Sequence, residues 1–366
     1  MAIYKSIDGI NKKIISHHIM DVGVNRNVYE IYTADAGINR RVHGQMIPGM
    51  IWNQSNLTTG YFRNCRYGTG VWVSCGYTGT GGLRYSTDGE TWYMCNGATA
   101  SMAYCYYANN IWVACAASTG LFYSTDGINW TQSNVTTGRF IWAQYANGVW
   151  VTIGHSGVMD TNGKGIYYST DGITWTQSNI KTGNFNDCCY GDGKWVAAAS
   201  NVASSNNGVW YSTDGITWAR GNITSLNWAA VSYYNNIYML ASVNGSGMRY
   251  STDGITWTPS NITTGGFMSC YGSNGIWIAG GYAGRGIYYS TDGMTWIQSN
   301  ITTNSFPYCT YANGIWIAGS SVGLYYSIDG MTWTQSNITT GNFVYCCYDN
   351  GMWVASSSTA GIRYSR

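Results

Sequence analysis

One motif, Tyr-Ser-Thr-Asp-Gly-x-Thr-Trp, recurs about every 40 residues, and the two ends of the chain divide one further copy between them. The aspartate falls at Asp88, Asp126, Asp171, Asp214, Asp253, Asp292 and Asp329. Ile328 replaces the first threonine of the last copy, and Asn129 the second threonine of the second. Each Trp is followed by a stretch like Thr-Gln-Ser-Asn-Ile-Thr-Thr-Gly-Asn-Phe, then Cys-x-Tyr, then an Asn-Gly-Ile-Trp-Val-Ala run. Those runs are centred on Trp72, Trp112, Trp150, Trp195, Tyr238, Trp277, Trp316 and Trp353, eight runs against seven motifs. The chain stops at Gly361-Ile362-Arg363-Tyr364-Ser365-Arg366, halfway through an eighth motif. The missing half, Ile51-Trp52-Asn53-Gln54-Ser55-Asn56, precedes the first complete repeat. A linear solenoid would end in atypical capping repeats. A closed ring instead removes its exposed sheet edges by letting an N-terminal strand complete the last blade. The expected fold is therefore all-β: an eight-bladed β-propeller of four-stranded blades over residues 49–366, closed by strand 51–56.

Within a repeat the strands read Phe-x-x-Cys-x-Tyr, Ile-Trp-Val-Ala, Gly-Ile-Tyr-Tyr-Ser and Thr-Trp-Thr-Gln-Ser. The Asp-Gly between the last two predicts a two-residue type I′ hairpin, with Tyr85 opposite Trp92 and Ser86 opposite Thr91.

Composition narrows the function. Charged residues make up 9% of the chain, aromatics 16%, and the net charge is +2. Such a balance gives no electrostatic reason to bind nucleic acid or an anionic membrane. No stretch approaches the roughly 20 apolar residues of a membrane span, and the first residues lack a secretory apolar core. Cys65, Cys105, Cys188, Cys270, Cys309 and Cys346 share one slot that Ala143 and Val231 fill elsewhere, which suits a small buried side chain better than a metal ligand or a disulfide. The remaining Cys75, Cys95, Cys115, Cys189 and Cys347 show no ligand spacing, so no metal or cofactor is expected. Fifteen of the 18 tryptophans occupy two repeat positions and read as blade packing. Trp210 and Trp228 align with core positions, and Trp142 stands apart.

Seven of the 16 acidic residues are motif aspartates and four precede Pro48. Of the remaining five, Glu90, Asp192 and Asp349 lie on the turn face. Asp160 and Asp187 are left as acids able to meet a ligand. Arg84, Arg249 and Arg363 are equivalent third-strand positions in separate blades, so they do not form a constellation.

The repeated Ser-Thr-Asp-Gly-x-Thr-Trp resembles the Asp box of sialidase-like (BNR-repeat) propellers, over about residues 50–366, although its turn is one residue shorter. The resemblance implies architecture: Asp boxes lie opposite the active site and are structural. Glycosidases need paired carboxylates, or in sialidases a tyrosine nucleophile with a glutamate and three arginines. The Phe-Arg-Ile-Pro signature is absent here. In residues 1–48, Gly9-Ile10-Asn11-Lys12-Lys13-Ile14, Gly23-Val24-Asn25-Arg26-Asn27-Val28 and Gly37-Ile38-Asn39-Arg40-Arg41-Val42 recur every 14 residues. This is similar to repeats in tail and other virion proteins of phages infecting Clostridia and related bacteria, which implies a small β-rich attachment module.

The blades differ most on the face opposite the Asp-Gly turns. Loops between strands two and three are short at Ala117–Gly120 but long at Gly154–Gly165 and Ser200–Gly208. The third position of strand one reads Asn64, Tyr104, Trp142, Asp187, Ala230, Ser269, Tyr308 and Tyr345. Tyr and Trp among small polar groups suit carbohydrate stacking, and the same residues would equally serve to plug the channel. Candidate ligand-binding residues are Trp142, Asp187, Tyr104, Tyr308, Tyr345, Asn64, His155 and Asp160. The expected function is non-enzymatic: a phage tail or virion-surface adhesin that recognises a bacterial surface glycan, joined to other virion proteins through residues 1–48. It would be made in the bacterial cytoplasm without a signal peptide, and homo-oligomerisation is left open. The alternatives are a structural or decorating virion protein and a sialidase-like hydrolase.

Overall fold

A computed structural model describes residues 48–77, 81–155, 164–199, 207–224 and 227–366 in full, and residues 3–7, 10–21, 24–35 and 38–44 by their backbone. The latter form an antiparallel four-stranded meander of strands Ile3–Ile7, Ile10–Asp21, Val24–Asp35 and Ile38–Gly44. The 14-residue sequence repeat is its strand-plus-turn unit, since the two central strands have 12 residues each and start at Ile10 and Val24.

Residues beyond Pro48 form eight four-stranded antiparallel sheets, the blades of a propeller. Blade 1 spans residues 61–94, blade 2 102–132, blade 3 140–177, blade 4 185–220, blade 5 228–259, blade 6 267–298 and blade 7 308–335. Blade 8 takes three strands from 343–365 and its outer strand from Asn53–Gln54, paired with Arg363 and Tyr364. The closing strand is thus two residues long rather than the whole of 51–56, as is every other outer strand.

The closure also rebuilds the split motif. In an intact copy Ser86 Oγ accepts the Gly89 N–H (2.8 Å) and the Trp92 indole donates to Gly89 O (3.1 Å). In blade 8 Ser365 Oγ accepts the Gly49 N–H (2.8 Å) and the Trp52 indole donates to Gly49 O (2.8 Å). Two chain ends 316 residues apart make one turn.

That turn differs from the expected hairpin. Of its central pair only the glycine has positive φ, and Tyr85 pairs with Tyr93, not Trp92. The aspartate acts through its side chain: Asp88 Oδ1 accepts the N–H groups of Glu90 and Thr91 and the Ser86 hydroxyl. An aspartate that bridges its own following amides builds a wider turn than a backbone-only hairpin, and this wider turn leaves strand four two residues to pair. The two-residue loops with positive φ at both positions lie between strands one and two, as at Asn109-Asn110, Asn147-Gly148 and Asn274-Gly275. Thr69, in the equivalent place in blade 1, has a φ of 51° that β-branched residues rarely adopt.

Large aromatics hold the blades together. The strand-two Trp and Tyr238 are fully buried, and the motif Trp from Trp52 to Trp333 nearly so. Trp228 is core as expected, whereas Trp210 is only half-buried, beneath the Arg220 guanidinium at 5.0 Å. The asparagine of each Gln-Ser-Asn stretch adds a specific clip. Asn300 Oδ1 accepts the Trp333 N–H (2.8 Å) while its Nδ2 donates to Trp333 O (2.9 Å). The same pair of hydrogen bonds recurs from Asn56, Asn134, Asn179 and Asn261, and Asn337 makes it to Trp52 across the seam. Asn261, within Asn261-Ile262-Thr263, is therefore engaged in blade joining. Asn300→Ala is expected to cost about 1–3 kcal/mol, because two partly buried main-chain groups lose their partner. An unchanged denaturant midpoint would contradict the clip.

Candidate functional site

Strand one of each blade lines the axis, and its side-chain pattern is set by a bulge. Ideal alternation would place residues two apart on one face. Here Phe140 and Ala143, three apart, are both buried, as are Phe185 and Cys188. In seven blades the register shifts just after the first position, Met102 in blade 2 and an aromatic residue in the other six, as between Phe140 and Trp142. A bulge inserts one residue and re-aims its neighbours. The second, third and fifth positions therefore contribute to the walls of the axial channel, while the fourth, usually Cys, packs between blades.

Two connected spaces result. The vestibule, about 560 Å³, is lined by second-position residues such as Arg63, Ile141, Asn186 and Met268, together with Arg139 and His155. The deeper chamber, about 370 Å³, is lined by third- and fifth-position residues: Tyr104, Trp142, Asp187, Tyr308 and Tyr345, with Arg66, Tyr106, Gln144, Ser232 and Tyr271. Tyr104, Asn186, Met268 and Pro307 border both.

Five third-position candidates thus converge on one chamber, and His155 stands at its mouth. Asn64 does not join them. It is 1% exposed, and its Oδ1 accepts the Cys105 N–H of the next blade (3.0 Å), so it is an inter-blade tie. Asp187 makes the equivalent tie, with Oδ2 accepting the Val231 N–H (3.0 Å) and Oδ1 the Cys188 N–H (2.9 Å). Burial pushes its carboxyl up to about 7, and those two N–H groups only partly oppose the rise. Tyr345 is nearly closed off at 7% exposure, its ring tilted against Tyr308 at 4.2 Å between centroids. Tyr104 and Trp142 stack at 6.5 Å and 22°. Asp160 and most of the two long loops, 156–163 and 200–206, lie outside the described residues.

Sequence reasoning missed Arg66, Tyr106, Gln144 and Tyr271. Their signal was available: they sit two residues after the third position, on the same strand face. Arg63 and Asn186 became legible only through the bulge. Arg84, Arg249 and Arg363, on third strands, line neither space.

Among the described residues no group of His, Cys, Asp and Glu is arranged to hold a metal. The cysteines are free thiols, all but Cys189 buried. Cys65 and Cys347 lie 2.9 Å apart between sulfurs across the ring seam. The fourth slot of one blade thus meets the fifth of its neighbour, a juxtaposition that comparing equivalent slots had hidden.

No protein-family model matches the chain, and no curated protein does. Among solved structures it is similar to the computationally designed Ika8 protein (TM-score 0.65, 11% identity, covering 87% of this chain and 99% of that one). It is also similar to Sqt1 of Saccharomyces cerevisiae (TM-score 0.58, 10% identity, 87% and 99%) and to YCF48 from Cyanidioschyzon merolae (TM-score 0.53, 14% identity, 86% and 98%). At such identities the likeness establishes one thing, the β-propeller fold; what any site does rests on its own residues.

Proposed function

We propose that the protein is a non-enzymatic binding module whose channel recognises a bacterial surface carbohydrate, in the setting of a phage tail or virion surface. The observation that carries this reading is the chamber at the ring axis. Repeats that agree in their turns, Trp pairs and Asn clips diverge here into Tyr104, Trp142, Asp187, Ser269 and Tyr308. Aromatic faces beside small polar groups are what a sugar requires, since its C–H faces stack and its hydroxyls seek partners. The resemblance of the Ser-Thr-Asp-Gly turns to Asp boxes agrees with turns that serve only the scaffold. Their aspartates are occupied by main-chain bonds, which hold Asp126 down at about 2 against the upward push of burial. The basic 14-residue repeats of 1–48 supply the phage setting and the attachment role.

Chemistry is disfavoured by the acid inventory of the chamber. Asp187 is its one carboxyl among the described residues, and both oxygens are engaged by backbone amides. A glycosidase needs a second acid or an activated tyrosine.

Purified protein should sediment with clostridial cell walls or their extracted polysaccharide. Trp142→Ala should reduce that adsorption at least tenfold, about 1.4 kcal/mol, with thermal stability little changed because Trp142 is half-buried. Equal adsorption by the variant would remove the chamber from the reading. No adsorption by the native protein would favour a purely structural virion role.

A further inference from the structure

The chamber holds a charge that the fold itself does not need. Arg66 occupies the fifth repeat position of strand one in blade 1, counted from Phe62, facing the lumen between blades 8 and 2. Its Nη2 donates to Tyr104 Oη (3.1 Å), and its guanidinium lies over the rings of Tyr345 (5.1 Å) and Tyr106 (5.3 Å). No carboxylate among the described residues pairs with it. Its Nε is buried without a hydrogen-bond partner. Buried donors are almost always satisfied. Equivalent positions in other blades carry Gln144, Ser232 or Tyr271, so the repeat does not demand an arginine there. The lumen is positive overall. Arg63 and Arg139 line the vestibule, and Asp187 is the single acid along the whole path among the described residues.

We infer that the chamber takes the anionic group of an acidic saccharide, a carboxylate or a phosphate, on the Arg66 guanidinium, with the sugar ring against the Tyr104–Trp142 wall. This rests on the carbohydrate reading above and narrows it to charged glycans. A planar guanidinium matches the paired oxygens of either anion and keeps its charge at all working pH. The rings of Tyr345 and Tyr106 flank it, and an apolar flank strengthens a charged contact. The adjoining Tyr104–Trp142 pair lines the same chamber and offers aromatic surface to the sugar. A neutral sugar would leave the Arg66 charge without a counterion.

The test compares oligogalacturonate with its methyl ester, which keeps the sugar and removes the charge. Poly(N-acetylglucosamine 1-phosphate), which keeps a sugar ring, serves as the phosphate arm, and the full chain is used throughout. The acid or the phosphate polymer is expected to bind at least about tenfold more tightly than the ester. That advantage should vanish in Arg66→Gln while the weaker binding of the ester persists. Preference for one anion over the other identifies the source of the charge. Should Arg66→Gln fail to fold, the acid-to-ester ratio of the native protein decides, because it requires no variant. A ratio near one, an undiminished preference in Arg66→Gln, or failure of both anionic probes to bind overturns the inference. If cell-wall adsorption persists alongside any of these, the carbohydrate reading survives and only the anion assignment is lost. If adsorption is absent as well, both fall.

Discussion

Replacing Trp52 by alanine is expected to destabilise the protein by about 3–5 kcal/mol, the usual range for emptying a buried Trp site, and to open the ring at its seam. Trp52 is 2% exposed, packed with Ile315, Ile317 and Trp353 at the junction of blades 7 and 8. Its main chain is held on both sides by Asn337, and its indole closes the rebuilt turn on Gly49. Seven other blades carry an equivalent Trp, which makes a direct control available. Trp296→Ala in blade 6 removes a side chain of similar burial, but the blade remains covalently continuous on both sides. The two variants should therefore lose comparable packing energy yet differ in how the ring responds. Once Trp52 is gone, the segment around 49–56 depends on a two-residue strand and a few loop contacts. Hydrogen exchange at residues 361–365 and proteolysis within 49–56 should accelerate in Trp52→Ala and not in Trp296→Ala. If the two variants matched in exchange and cleavage, the N-terminal strand would not be what closes the ring.

The blade number and the closure were legible because both are counting problems. Eight strand-two runs, seven motifs and one motif split between Tyr364-Ser365 and Trp52 admit a ring and little else. Local geometry was harder to read, for identifiable reasons. Asp-Gly favours a tight I′ hairpin when the aspartate side chain is idle, but a serine two residues earlier gives Asp88 a partner and turns it into a cap for the amides of Glu90 and Thr91. The true I′ loops were written as Asn147-Gly148 and Asn274-Gly275 between the first two strands. The bulge that carries Arg63 and Asn186 into the vestibule has no residue signature of its own. It shows only as Phe140 and Ala143 sharing a face at a spacing of three. The ties made by Asn64 and Asp187 were concealed too, because a polar residue at a channel position looks the same whether it faces a ligand or a neighbouring blade.

The second large effect concerns Asp187 and pH. Its carboxyl titrates at about 7 when folded, against roughly 3.9 in an unfolded chain. Between these values the folded protein holds a proton that the unfolded chain has released. Stability therefore falls as pH rises from about 4 to about 7, by at most roughly 4 kcal/mol over the window. The groups facing Asp187 do not obscure this. Burial pushes Tyr104 up to about 12 despite the opposing Arg66, and Cys270 to about 12, while Cys188 and Cys189 are also raised. All four stay neutral from pH 4 to 8, and Arg66 stays charged throughout. The motif aspartates work in the opposite direction. Their carboxyls lie below the usual value, because main-chain and serine bonds outweigh the upward push of burial at Asp88, Asp171 and Asp214. What they contribute is present above pH 4 and is lost as pH falls through their folded values. The two effects together place maximum stability near pH 4–5, on the acidic side of the usual range. Asp187→Asn isolates one of them. Asn64 shows within the same molecule that an amide oxygen can accept the next blade's N–H at this position, so the tie should survive. The variant should match the native protein at pH 4 and exceed it by about 1–4 kcal/mol at pH 8. Denaturant melts of both proteins across pH 4–8 check this, and a native curve flat over that window, or one whose slope persists in Asp187→Asn, would show that the buried carboxyl does not govern it.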